Sequence, residues 1–365
     1  MDVNAMNLAN ILTLSINPRD IYTQMGVFRL GKVQFLKRIR HDNEELKKFS
    51  RIADQTSYRT DLIMKVLEDN EIPLEDVRLV MGRGGLLHPV ESGIYEVNNK
   101  MKEDLSKAPV GEDVVNLGGL IADEIANRLP DARAFVANPV VVDEFCDLAR
   151  VSGHPLIQRK SIFHALHQKY IARKHAQTVG KNYEDLVLIV VNLGRAITVG
   201  AHLYGKVIDA NQGFDGDGPF STIGSGSLPV GDLIHLCFSG KYTEEDMMKM
   251  VWGEGGLFAY LGTHSGYEVD KRVQQGDEKA RFFFEAMAYQ VAKTVGAMAT
   301  TFTENPDGIL ITGAMANSKI LVELIIKRIE KIGPIHIYPG DDDLEALAWN
   351  AMMMLRGEIK PKKYT

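Results

Sequence analysis

Two stretches of this chain carry one pattern. From Ile11 the sequence reads ILTLSINPRDIYTQMGVFRLGKV, and from Leu186 it reads LVLIVVNLGRAITVGAHLYGKV. Each is an apolar strand, then an asparagine (Asn17 or Asn192) opening a short turn, then a second strand closing on Gly-Lys-Val. Self-similarity at a long period constrains a fold strongly, because the same unit must bury the same face twice. The two units start about 175 positions apart in a chain of 365 residues, near half its length. This predicts a duplication: two like domains, each opening on a hairpin, facing each other across a cleft where a pocket would form. Two unrelated hairpins are the competing reading.

The rest of the chain alternates in type. Short Val-, Ile- and Leu-rich runs (Ile11–Ile16, Val77–Met81, Ala134–Val136, Leu186–Val191, Gly308–Ile311) predict buried strands. Helical patterns lie between them at Thr60–Leu67, Leu117–Arg128, Ser161–Lys174, Thr243–Val251, Glu285–Thr301 and Ser318–Ile332. Such alternation predicts an α/β architecture with largely parallel pairing. With 42 Lys+Arg against 48 Asp+Glu and a net charge of -6, the chain lacks the basic surface of a nucleic-acid binder. No apolar run approaches the ~18 residues needed to span a bilayer, so no membrane partner is expected. The start, MDVNAMNLAN, lacks the basic and apolar regions of a secretion signal. Cys146 and Cys237 have no metal spacing and cannot build a disulfide framework. A cytoplasmic location is expected.

Glycines gather at Gly82-Arg83-Gly84-Gly85, Gly118-Gly119, Gly213–Gly218, Gly224-Ser225-Gly226, Gly253–Gly256 and Gly313. Each cluster reads as a tight turn or as backbone N–H groups converging on an anion. Together, beside strand ends, they favour a nucleotide or phosphate. Neither G-x-x-x-x-G-K-[ST] nor a strand-to-helix G-x-G-x-x-G is present. Phosphate held between two hairpin turns is the alternative, with Asn17 and Asn192 at the positions that would need polar groups. His164 and His167 could suggest a metal site, but a helical pair without a third ligand is ordinary packing more often.

Four long motifs then carry a resemblance: MGRGGLLHPVESGIYEVNNKM (Met81–Met101), VSGHPLIQRKSIFHALHQKYIARK (Val151–Lys174), LPVGDLIHLCFSGKYTEEDMMKM (Leu228–Met250) and YPGDDDLEALAWNA (Tyr338–Ala351). They resemble the butyrate kinases, over most of the chain. The resemblance implies the fold shared by acetate and sugar kinases, heat-shock chaperone ATPases and actin: two ribonuclease-H-like α/β domains flanking a cleft, duplicated. The expected domains are 1–175, on the acyl-substrate side, and 176–356, on the nucleotide side. The last helix is a candidate to pack back on the first domain. The implied reaction is reversible phosphoryl transfer between ATP-Mg and butyrate, giving butyryl phosphate, in a homodimer or larger assembly. Its partners would be a short-chain carboxylate or acyl phosphate.

By the same resemblance Arg83 is the substrate-side arginine and His164 stands near the transferring phosphoryl. Asn17, Asn192, Gly194, Gly313 and Asn317 are the expected nucleotide-binding positions. Other functional positions depart from the family pattern. The first turn, I-N-P-G-S-T-S-T-K in the family, is Ile16-Asn17-Pro18-Arg19-Asp20-Ile21-Tyr22-Thr23-Gln24 here. The second, H-L-G-G-G-I-S, is Asn192-Leu193-Gly194-Arg195-Ala196-Ile197-Thr198. Gly224 replaces an arginine, Asp113 a histidine, and Asn138 an aspartate that resembles the magnesium-organising one. The adenine-side D-x-R reads Ser265-Gly266-Tyr267, and T-G-G becomes Thr312-Gly313-Ala314. The readings are therefore a carboxylate kinase with an altered site, with Arg19 and Arg195 supplying charge from new positions, a non-catalytic binding or scaffolding relative, or a binder of a different anion.

Overall fold

The computed structural model of this protein describes residues 8–365. Its apolar runs become the strands β1 (Leu12–Pro18), β2 (Tyr22–Arg29), β3 (Lys32–Arg40), β4 (Val77–Arg83), β5 (Ile94–Glu96) and β6 (Arg133–Ala137). Later in the chain come β7 (Val187–Leu193), β8 (Ile197–Leu203), β9 (Lys206–Ala210), β10 (Gly308–Gly313) and β11 (Ile335–Pro339). Every residue of β1, β7 and β10 is buried, as expected of strands covered on both faces.

The chain forms two units, one of residues up to Val142 together with Asp342–Thr365, the other Asp143–Asp341. The first unit's sheet has the order β5-β6-β4-β1-β2-β3, with the short strand Lys362–Lys363 outside β5. The second unit's sheet has the order β11-β10-β7-β8-β9. The two share a plan. In each, a hairpin and a third strand form an antiparallel meander, and the first strand pairs in parallel with a strand reached by a long crossover. Thus β3-β2-β1-β4-β6 and β9-β8-β7-β10-β11 are the same arrangement, and the sequence repeat is its visible trace. The outer strand β3 is mostly exposed and rich in Lys and Arg, which discourages edge-to-edge pairing.

The division lies at 142/143 and not at 175/176. Helix Ala165–Thr178 takes the second unit's side because Ile171, Ala172 and Ala176 bury against Leu186, Leu188, Val190 and Leu310. Helix Asp343–Leu355 packs on the first unit's sheet, with Leu344 and Ala348 against Phe28. The apolar helix Glu278–Ala299 is mainly core. Phe284, Met287, Val291 and Val295 pack beneath β7 and β8 residues, although Phe282 and Tyr289 stay exposed. Among the described residues no helix is long and apolar enough to cross a membrane, and both cysteines are free thiols.

Candidate functional site

In the first unit the site begins at the carboxyl ends of β1 and β4, neighbouring parallel strands in which Ile16 pairs with Gly82. Ligands of open α/β sheets gather outside such ends. The pairing brings Asn17 and Arg83, both buried, side by side. Arg83 Nη1 donates to Asn17 Oδ1 at 3.4 Å. Both then converge on one oxygen. Asp343 Oδ2 lies 3.2 Å from Arg83 Nη1, 3.2 Å from Arg19 Nη2 and 3.2 Å from Asn17 Nδ2. Asn17 also donates to Gln24 Oε1 at 3.0 Å. Asp343 opens helix Asp343–Leu355, whose N-terminus favours a carboxylate.

The first hairpin turn is braced from behind. Arg59 donates to the carbonyls of Arg19 (2.8 Å) and Asp20 (2.9 Å) and twice to Gln55 Oε1. Burial lowers its guanidinium to about 10, against the raising effect of Asp20. His41, whose Nε2 meets Thr23 Oγ1 at 2.8 Å, is lowered to about 4 by burial and then by Arg59.

Two positions that the resemblance marks as substituted in this unit, Asn138 and Asp113, take part in local hydrogen bonds. Asn138 adopts a positive φ of 40°, and its Oδ1 accepts from the Ser92 hydroxyl and the Gly93 N–H, each at 2.9 Å. Magnesium needs oxygen ligands, carboxylates by preference. A neutral amide oxygen already accepting two hydrogen bonds does not fit that ion. Asp113 caps a 3-10 turn by accepting from Val115 N at 2.9 Å. The glycines near Arg83 serve packing. A β-carbon on Gly82 would stand 2.0 Å from Gly118 O, and one on Gly118 would stand 2.1 Å from Arg83 O. Strand end and helix start meet there backbone to backbone.

In the second unit, β7 ends at Asn192–Leu193 and its parallel neighbour β10 at Thr312–Gly313. Gly313 has φ +95°, and a β-carbon there would lie 2.6 Å from Leu193 O and 2.7 Å from Asn192 Oδ1. The two strand ends therefore touch. Beyond them opens a cavity of about 380 Å³, within the size range of small-molecule sites. Gly194 and Asn317 line it, as do Arg195, Ser265, Gly266, Tyr267 and Ala314. The structure thus brings together the second turn and the positions that the resemblance places on the adenine side. Ser265 caps helix Gly266–Gln274 and Ser318 caps helix Lys319–Ile329, so two helix N-termini border the cavity. His264, on the wall, stacks on Phe258 with ring centroids 4.0 Å apart. Thr222 also lines the cavity and carries a buried hydroxyl without a hydrogen-bond partner.

Gly224 does not reach this space. It lies buried in a tight turn, with its N–H donating to Ser221 Oγ at 2.9 Å. A β-carbon would stand 3.1 Å from that oxygen and 3.3 Å from the Trp252 ring. His164, just before helix Ala165–Thr178, meets Thr198 Oγ1 through Nδ1 at 2.8 Å. His167 is buried, and its Nε2 meets Thr312 Oγ1 at 2.9 Å. The sequence reading missed Asp343, Thr222 and His264. YPGDDD was the available signal for Asp343, but nothing local told which of its carboxylates would meet Arg83.

The fold has known counterparts. By structure the chain is similar to the acetate kinase of Porphyromonas gingivalis, with a TM-score of 0.75 at 15% identity over 95% of this chain and 100% of that one. It is similar to a propionate kinase from Francisella tularensis subsp. tularensis SCHU S4 (TM-score 0.73, 15% identity, 93% and 98% covered). The acetate kinase from Entamoeba histolytica gives a TM-score of 0.72 at 14% identity, with 92% and 97% covered. At such identity the likeness is one of fold, and it assigns both sheets to the actin-like ATPase architecture. The Acetokinase family model matches residues 151–343, more than half of the chain, including the segment around His164 and the whole cavity wall. On that match, this chain belongs to the Acetokinase family.

Proposed function

We propose that this chain is a butyrate-kinase-like acetokinase that keeps a nucleotide-sized cavity but no longer transfers phosphoryl groups efficiently, and that it acts by binding. Kinases of the family act on short-chain carboxylates with ATP and magnesium. In that reaction a carboxylate oxygen attacks the γ-phosphoryl in line, while the protein positions groups and neutralises charge. The observation that carries our reading is the engagement of Arg83, the substrate-side arginine, by the internal carboxylate of Asp343, which Arg19 also holds. An internal carboxylate takes the role that a short acid would need.

Two further observations support it. The turn at Gly224 is sealed against Trp252, so no cationic finger extends from it, and such a group contributes on the order of 10³–10⁵ in rate. Asn138 does not suit magnesium. The cavity, by contrast, suits an adenine nucleotide: Ser265, Gly266, Tyr267, Ala314 and Asn317 would hold base and ribose, with Gly194 toward the phosphates. ATP would supply the phosphoryl group when bound.

The test is a pair of measurements on the whole chain. ATP-Mg titrated by calorimetry is expected to bind. Hydroxamate trapping of acyl phosphate from butyrate and other short or branched acids is expected to give no turnover. Efficient acyl phosphate formation would overturn the reading. It would favour the competing one, an active kinase in which Arg195, exposed on the cavity wall, supplies charge from a new position.

Self-association belongs to the same proposal. Helix Val230–Cys237 reads VGDLIHLC yet buries no residue, and Phe238 beyond it is 87% exposed. An eight-residue helix of that composition is marginal in water without a partner surface. Light scattering should give the mass of a dimer or larger assembly, lowered by Phe238→Glu. A wild-type monomer mass would remove this part.

A further inference from the structure

We propose that a buried relay of Gln168, Thr198 and His202 fixes the imidazole proton of His164 on Nε2. His164 is thereby held as a hydrogen-bond donor at the second hairpin turn, and the three relay residues are positioning residues for anion binding there. The inference rests on the functional reading in one respect, that a ligand's anionic group approaches this turn.

The relay is interleaved from two elements. His164 and Gln168 are one helical turn apart, and Thr198 and His202 lie on one face of β8. Contacts alternate between them: His164 Nδ1 to Thr198 Oγ1 at 2.8 Å, Thr198 Oγ1 to Gln168 Nε2 at 2.9 Å, and Gln168 Oε1 to His202 Nε2 at 3.0 Å. His202 Nδ1 ends the chain on the Tyr183 hydroxyl at 2.8 Å. Gln168, Thr198 and His202 are each 0% exposed. The strand has given up a side chain to let the amide pass, because a β-carbon on Gly200 would stand 2.3 Å from Gln168 Oε1.

Chemistry gives the relay a direction. The Thr198 carbonyl can only accept, and Gln168 Nε2 lies 3.3 Å from it as well as on the hydroxyl. The amide nitrogen therefore faces Thr198 and the amide oxygen faces His202, whose Nε2 must carry a proton. A neutral His202 then accepts through Nδ1 from Tyr183. Burial, with Lys169 and Arg173, pushes the His202 imidazole well below its usual range, and burial pushes the Tyr183 hydroxyl up, so both keep these roles. At the other end, Thr198 has accepted from Gln168 and has its own proton to give. Its recipient is His164 Nδ1, which leaves the ring proton on Nε2. That nitrogen lies 3.9 Å from where a β-carbon on Gly194 would stand. The second turn thus faces a side-chain donor of fixed orientation.

The experiment is nitrogen-15 NMR of the histidine-labelled full chain in mildly alkaline buffer, with His164→Gln to assign the signals. Wild-type His164 is expected as one tautomer, with Nε2 protonated and Nδ1 bare. Thr198→Val should release it to a mixture of both tautomers, and Thr198→Ser should restore the single one. A wild-type proton on Nδ1, or an unchanged tautomer in Thr198→Val, would overturn the proposal. Should Thr198→Val fail to fold, the wild-type assignment alone decides. Failure of ATP-Mg to bind would remove the functional reading and leave the tautomer result standing, so the two are distinguishable.

Discussion

The turn after β1 and the turn after β7 occupy equivalent places in two sheets of one plan, yet their surroundings differ. At the first, Arg59 ties down the carbonyls of Arg19 and Asp20, and Asp343 accepts from Asn17 and pairs with Arg19 and Arg83. At the second, Gly194 and Arg195 line a cavity of about 380 Å³. The first turn is filled by an ion cluster around Asp343, whereas the second lines a cavity. A repeated backbone therefore permits either outcome, and the side chains around each turn decide which.

The largest test strikes the filled turn. Asp343→Ala would leave the buried Arg83 and the half-buried Arg19 without the carboxylate they share, a change that costs about 3–5 kcal/mol in comparable sites. Denaturant unfolding should show a loss of that size. A loss under about 1 kcal/mol would mean that the cluster is not an internal lock, and the contrast between the turns would fail.

Next in size is Gly224→Arg, which places an arginine where the sequence resemblance would put one. Crowding against Ser221 and the Trp252 ring should cost about 1–3 kcal/mol. Hydroxamate formation is expected to stay absent. Activity appearing in this single variant would show that the second turn lacked only a cation.

Much of this was legible in the sequence for a physical reason. Strands such as Leu186–Val191 and helices such as Leu117–Arg128 are specified by local periodicity, and the repeat survives because both hairpins must bury the same faces. What could not be read depends on register and long-range return. Asp343 meets Asn17 from 326 positions away. The relay to His202 needs Gln168 to cross Gly200, which no single segment records. The glycine clusters divide only in three dimensions. Gly82 and Gly118 bring a strand and a helix together, whereas Gly194 lines the cavity. The unit boundary falls at Val142 because helix Ala165–Thr178 has its apolar face cut for β7 and β10.

A smaller effect separates the turns by ligand binding. Ala314→Leu adds bulk to the cavity wall and should weaken ATP-Mg binding about tenfold, or ~1.4 kcal/mol. Arg19→Gly, at the other turn, should leave that affinity within about twofold. Equal losses in calorimetry would mean that both turns hold the nucleotide.

The smallest effect concerns what backs each turn. Behind the first lies His41, held neutral down to about pH 4; the relay near the second contains His202, also held neutral. A histidine whose native value is depressed takes up its proton more readily in the unfolded chain. Stability therefore rises with pH between about 4 and 6.5 for His41, and it falls as the solution is acidified through that window. After discounting for partial hydration the contribution is about 1 kcal/mol or less. His41→Gln should flatten the part of the profile that lies above pH 4, while the part due to His202 persists. Unfolding by urea at several pH values measures this. An unchanged profile in His41→Gln would show that the imidazole titrates normally, and that the brace on the first turn is looser than Arg59 and Thr23 make it.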